Sequence, residues 1–340
     1  MYQVSQTVLE WLLEDDNPPV KYLTLTKILD KTDAETLAFK NEINDYQPIR
    51  EILRNQIDNS HWDHVYKLYT GTYWQLKFLS DMHATKCDQI DNAVEFIFSR
   101  GLTTEGYFAI GAGGHNFDCM TANLLQVLIH FGFLEDERTR RAIDYFETTF
   151  SDTNGSIKCN TRGLLTNCYM VLPQILRALS AIPKKKRSAK VTKGIKLCVN
   201  RLLENRIHQF VPEKNREFIK VTSDIRGQDR VEERARWLKE NPDMGRVAKK
   251  SWSKFKFPHS YTSDALDVLY SLSHADVKFD ARMKDAIELV KNQAHNGQWL
   301  NWSKFRSPMY ATIEEYKQES KWLTQRALEV LKTYGGLTIS

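Results

Sequence analysis

Gln293-Ala294-His295-Asn296-Gly297-Gln298-Trp299 closes a unit that opens with the apolar run Ala265-Leu266-Asp267-Val268-Leu269 and continues through an amphipathic segment at 280–292. The same succession occurs twice more. Tyr73-Trp74-Gln75-Leu76-Lys77-Phe78-Leu79 precedes an amphipathic segment at 88–98 and the turn Thr104-Glu105-Gly106-Tyr107-Phe108. Leu124-Leu125-Gln126-Val127-Leu128 precedes a segment at 138–150 and Thr153-Asn154-Gly155-Ser156-Ile157. Each unit reads as an apolar helix, a charged connection, an amphipathic helix and a turn closing on Gly-x-aromatic or Gly-x-aliphatic. Pro173-Gln174-Ile175-Leu176 with the segment at 191–206 makes a further unit without the glycine turn. A period of roughly 45–50 residues is that of a helical-hairpin repeat, in which each pair buries its apolar face against its neighbours.

The flanks read the same way. Val4, Val8, Trp11 and Leu12 fall at helical spacing before Asp15-Asp16-Asn17-Pro18-Pro19, a second helix is expected over 20–29, and a third over 32–55 with a break near Pro48. No sustained period-two alternation marks a strand, so the chain is expected to be all-α. The first helix of each pair is the more continuously apolar, as required if one layer of helices is enclosed by another. Residues 210–257 do not repeat and carry the charged run Arg230-Val231-Glu232-Glu233-Arg234-Ala235-Arg236. They are expected to be an insertion within a single domain spanning 1–340.

The turn at 293–299 resembles the Gln-x-x-x-Gly-x-Trp core of the QW motif of triterpene cyclases, and Gln56-Ile57-Asp58-Asn59-Ser60-His61-Trp62 is a variant with Ser for Gly. On these motifs and the recurring helical pairs, the chain resembles the terpenoid cyclase and protein prenyltransferase superfamily. That resemblance implies an α/α toroid whose inner helices run parallel around a central cavity. It also implies an isoprenoid-like, apolar small-molecule ligand. The Asp-x-Asp-Asp motif that protonates cyclase substrates is absent; Asp264-Ala265-Leu266-Asp267 has helical spacing but no adjacent carboxyl pair.

Composition bounds the remaining classes. The 340 residues are 41% hydrophobic and 27% charged, with a net charge of +5. No run approaches the roughly 20 apolar residues of a membrane span, and the first residues lack the pattern of a signal peptide. A cytoplasmic location is expected. The charge is too mild to imply nucleic acid as a partner, and Lys184-Lys185-Lys186-Arg187 reads as a solvated connection. An odd count of five cysteines argues against a disulfide framework.

Candidate chemistry gathers at the expected inner-helix N-termini. Cys119 follows Gly113-Gly114-His115-Asn116-Phe117-Asp118, where free backbone N–H groups favour a thiolate; Asn167-Cys168 and Pro258-His259-Ser260 open two further helices. If these starts meet, Cys119, Cys168 and His259, with Cys159 in the loop before Cys168, offer the thiolate and imidazole set that zinc prefers. Protein prenyltransferases hold zinc with Asp, Cys and a distant His, and lanthionine cyclases with two Cys and a His, so the resemblance implies zinc. His115, Asp118 and Asp264 are the candidate catalytic groups. Tyr73, Trp74 and Tyr261 are expected to line the cavity, because ring faces suit an apolar or cationic guest. Two competing readings follow from the same residues. One is a metal-free carbohydrate-active (α/α) barrel using carboxylates such as Glu105, Asp118, Asp152 or Asp264. The other is a binding or scaffold protein without catalysis.

Overall fold

The helices form where the apolar periodicity places them, and their ends follow local chemistry. The structure is a computed structural model that describes residues 2–110, 115–157, 168–210 and 247–339. It is helical, with short two-stranded ribbons. At the N-terminal side lie α1 (Gln6–Leu12), α2 (Pro18–Leu23), α3 (Asp33–Asn41) and α4 (Gln47–Arg54). Asn17 caps α2 ahead of its two prolines, and Thr32 with Glu35 forms a capping box on α3. The expected break near Pro48 falls earlier, at the 3₁₀ turn Ile43–Asp45. Pro48 sits instead in the first turn of α4, where a missing N–H forfeits no helical hydrogen bond. Val4 lies in a strand rather than in the first helix.

The repeat units supply the rest. They are α5 (Thr72–Asp81) with α6 (Asp88–Arg100), α7 (Asp118–His130) with α8 (Glu137–Phe146), and α9 (Leu172–Ala181) with α10 (Ala189–Glu204). After the non-repeating region come α11 (Ala265–His274) with α12 (Lys284–Asn292), and finally α13 (Lys321–Val330). The two members of a pair differ in burial. In α5 every residue from Thr72 to Ser80 is buried, and in α13 all ten are. In α6 only the stripe Ile90, Ala93, Val94, Ile97 and Phe98 is buried. The more buried helix of each pair touches the next: α5 packs on α7, α7 on α9, α9 on α11 and α11 on α13, which also packs on α1 and α2. The strand β1 (Tyr2–Val4) pairs in parallel with Leu337–Ile339, so the two ends of the described chain meet.

The repeated turns share one hydrogen-bond scheme. The backbone N–H of Trp62 donates to Thr72 Oγ1 at 3.0 Å, that of Phe108 to Thr121 Oγ1 at 3.1 Å, and that of Trp299 to Thr324 Oγ1 at 3.1 Å. Each threonine is fully buried near the start of the next apolar helix. The indole N–H groups of Trp62 and Trp299 donate to the carbonyls of Ile52 and Val290, at 2.7 and 2.8 Å. The two QW-type tryptophans therefore lock each turn to the helix before it, and their rings fill the core. Gly106 is required at its turn: φ is +91°, and a Cβ would sit 2.3 Å from the Arg141 carbonyl oxygen.

Candidate functional site

One stripe of each apolar helix carries polar side chains at i, i+3, i+4 and i+7, and these converge. On α5 they are Lys77, Ser80 and Asp81; on α7, Gln126 and His130; on α9, Arg177 and Ser180. On α11 they are Asp267, Tyr270, Ser271 and His274, and on α13, Arg326. With His83 and His259 they enclose a cavity of about 170 Å³.

Its charged wall is built around Asp267. Arg177 Nη1 donates to Asp267 Oδ1 at 2.6 Å and Ser263 Oγ donates to the other carboxylate oxygen. Burial alone would raise the Asp267 carboxyl, but Arg177, His259 and Ser263 outweigh it and hold it below the usual carboxylate range. His259 Nε2 donates to Asp264 Oδ2 at 2.9 Å, while its Nδ1 lies 3.9 Å from Asp267. Asp264 is also the N-cap of α11, accepting from the Asp267 N–H at 2.9 Å, and it accepts from the Lys256 N–H at 2.9 Å. Lys77 Nζ donates to the His259 carbonyl at 3.0 Å and pairs with Asp81; burial lowers its pKa, against the opposing field of Asp81.

Imidazoles and hydroxyls make up much of the remaining lining. His130 Nε2 donates to the Ala84 carbonyl at 3.0 Å, which leaves Nδ1 as an acceptor. Burial pushes the His130 imidazole below its ordinary pKa, and pushes His83 well below it with help from His130 and Arg326. Both rings are neutral at neutral pH. His274 Nε2 meets Glu329 Oε1 at 2.8 Å. Three atoms on the wall are buried with no hydrogen-bond partner: Ser80 Oγ, Tyr270 OH and Arg326 Nε.

Of the residues singled out from sequence, His259 lines this cavity and Asp264 reaches it through His259. The others stand elsewhere. Asp118 begins α7 and accepts from Tyr145 OH at 2.6 Å, an oxygen that also accepts from Asn116 at 2.6 Å. His115 is placed by its backbone, which pairs with Ile110. Cys119 lies near Tyr66 and Tyr73, and Cys168 near Arg201. Cys159 lies outside the described residues, as do 211–246 of the expected insertion. Among the described residues, no group of three or more His, Cys, Asp or Glu is arranged to hold a metal ion. Glu105 is exposed and Asp152 pairs with Lys190 at the surface.

Tyr73, Trp74 and Tyr261 belong to a separate aromatic cluster. Trp74 meets Tyr73, Tyr69 and Tyr261 edge-on, each at a centroid distance of 5.0 Å, and Tyr69 meets Phe305 at 4.7 Å. The hydroxyls of Tyr66 and Tyr261 are hydrogen-bonded, and Asn123 donates to Tyr73 OH at 2.8 Å. Tyr73 and Trp74 are fully buried. None of the three lines the polar cavity.

Comparison with known proteins adds no assignment: no protein-family model matches the chain, and no curated protein matches it either. No described helix is long and apolar enough to cross a membrane. The chemistry therefore has to be read from the site itself. Sequence reasoning missed Lys77, Ser80, Asp81, His83, His130, Arg177, Tyr270, His274 and Arg326. The usable signal was an ionisable residue inside an otherwise apolar helix, as in Leu76-Lys77-Phe78 and Leu176-Arg177-Ala178. Such a side chain at a core position is costly unless it is paired or faces a cavity.

Proposed function

We propose that this chain is an α/α toroid whose central cavity binds a small, polar, hydrogen-bonding molecule. The toroid is supported by the consecutive packing of α5, α7, α9, α11 and α13, by the contribution of all five to one cavity, and by the pairing of the chain ends. The polar ligand is carried by one observation. Ser80 and Tyr270 are 3% and 7% exposed, line the cavity, and hold hydroxyls without a partner. A buried hydroxyl left unmatched costs about 1–3 kcal/mol, which an occupant that accepts or donates a hydrogen bond returns. Asp267, held ionised by Arg177, orients rather than donates protons, and the neutral rings of His83 and His130 add hydrogen-bonding groups to the lining.

An apolar, isoprenoid-like guest is the competing reading, favoured by the aromatic cluster around Trp74. Thermal-shift titration with polyols, amines and carboxylic acids, set against farnesol and polyprenyl diphosphates, separates the two. A polar compound is expected to raise Tm, and the combined variant Ser80→Ala/Tyr270→Phe to lose that rise. Stabilisation by isoprenoids alone would overturn the polar reading. Zinc at Cys119, Cys168 and His259, with Cys159, is tested by elemental analysis. One zinc per chain, lost in Cys119→Ser/Cys168→Ser, would bring metal chemistry into the mechanism.

A further inference from the structure

The charged side chains around the cavity are not all paired. Lys77 is matched by Asp81 and Arg177 by Asp267. Glu329 is engaged by His274 and by Gln325, whose Nε2 donates to it at 2.9 Å. Arg326 is left over. Its side chain is 7% exposed, lines the cavity, and makes no hydrogen bond or ion pair among the described residues. What holds it is aromatic: the guanidinium carbon lies 4.5 Å from the Phe257 ring centroid and 4.9 Å from that of Tyr270. Two rings hold the guanidinium in place, and its Nε–H is left without a hydrogen-bond partner.

Asp267 shares its field with Arg326 but makes no direct contact with it, and a buried guanidinium with no hydrogen-bonded anion is one that a ligand can complete. The planar fork is shaped for a carboxylate, which it takes with two parallel N–H···O bonds. The remaining charges limit that ligand to one negative charge, because Asp81 and Asp267 line the same cavity and repel a second. The unmatched Tyr270 hydroxyl is on a residue that also packs against Arg326, so it is placed to serve the same guest. From this arrangement we infer that the cavity selects a small monocarboxylate, with Arg326 as its recognition residue and Phe257 and Tyr270 as the clamp that orients the guanidinium. This rests on reading the cavity as a polar binding site.

The test uses acetate and glycolate, with acetamide as the neutral isostere and inorganic phosphate as a more highly charged anion. In ¹⁵N-labelled protein the Arg326 Nε–H signal, assigned by its loss in Arg326→Lys, is expected to shift saturably with either carboxylate. It is expected to stay in place with acetamide. Tm should rise with carboxylate concentration in the native protein, and this rise should be lost in Arg326→Met. The carboxylate should bind at least tenfold more weakly to Arg326→Lys, which keeps the charge and loses the fork. An unmoved Nε–H signal would overturn the inference, as would an undiminished Tm rise in Arg326→Met or phosphate binding more tightly than acetate. If acetamide or a polyol binds while carboxylates do not, the monocarboxylate assignment falls and the polar-site reading stands. If no polar compound, neutral or charged, perturbs either signal, both fall.

Discussion

A single stripe of α5 runs through both of the molecule's contrasting regions. Near its start, Trp74 is enclosed by Tyr73, Tyr69 and Tyr261, ring edge to ring face. One turn on, Lys77 reaches the His259 carbonyl, and Ser80 and Asp81 face the cavity. The aromatic region is filled by ring contacts and a few hydrogen bonds, although the Trp74 indole N–H is buried there without a partner. The polar region is part-filled, and some of its donors have nothing to bind. On the proposed reading, one end of the stripe serves stability and the other recognition. Substitutions in the two regions should therefore separate stability from binding.

The largest expected effect is at the aromatic end. Trp74→Ala removes a fully buried indole and should cost about 3–5 kcal/mol in denaturant unfolding, with ligand affinity in the cavity unchanged. A loss under about 1 kcal/mol would mean that the rings are loosely packed, and the contrast would fail. At the polar end, Asp267→Asn weakens the acceptor for Arg177 and Ser263 and leaves the guanidinium short of an anion. A destabilisation of about 2–4 kcal/mol is expected. Adding Arg177→Met to it should restore part of that loss, because the orphaned charge goes too. Strict additivity in the double-mutant cycle would show that the pair is not coupled.

The two regions should also respond to opposite ends of the pH scale. His83 and His130 have folded pKa values below the ordinary 6.5 because burial disfavours the imidazolium. Below pH 6.5 the unfolded chain binds the extra protons, so their contribution is intact above that pH and is lost as pH falls beneath it. Asp267 is depressed from 3.8 and adds its own loss only at lower pH. Tyr73 behaves the other way. Burial raises it well above 10, so its contribution is lost as pH climbs past 10. Tm measured from pH 5 to 7 should fall toward acid in the native protein and flatten in His83→Leu/His130→Gln. An unchanged slope in that variant would place the acid sensitivity elsewhere.

The helical class and the pairing of helices were legible because apolar periodicity and glycine turns are local signals. Trp62 and Trp299 could be read as structural because the turn residues around them repeat. The short ribbon joining Tyr2–Val4 to Leu337–Ile339 was not legible, since three residues carry no alternation and the partners are far apart in sequence. The residues singled out from sequence and those lining the cavity differ for a physical reason. Helix starts such as those at Cys119 and Cys168 carry the local chemical signals, and rings there were expected to line space. In the structure Tyr73 and Trp74 are fully buried against each other, and the open volume lies along Lys77, Arg177 and Asp267. His259 and Asp264 were reachable from sequence because they sit at a helix start that also borders the cavity. Which polar residues on separate helices face one another depends on packing that no single segment encodes.

The smallest expected effect gives the sharpest distinction, because one chemical change should have opposite signs at two serines. Ser263 Oγ donates to Asp267, so Ser263→Ala removes a hydrogen bond to a buried carboxylate and should destabilise the protein by about 1–3 kcal/mol. Ser80 Oγ is 3% exposed at residue level and has no partner, so Ser80→Ala removes a hydroxyl that is already unsatisfied. That variant should gain up to about 1 kcal/mol in the ligand-free protein. It should bind a polar ligand more weakly, since the same hydroxyl is available to the guest. Unfolding measured with and without ligand therefore checks both terms at once. If Ser80→Ala destabilises the free protein as Ser263→Ala does, Ser80 has a partner in solution and belongs to the scaffold. If it stabilises the free protein and reduces the ligand-induced shift, its unmatched hydroxyl is part of the binding site.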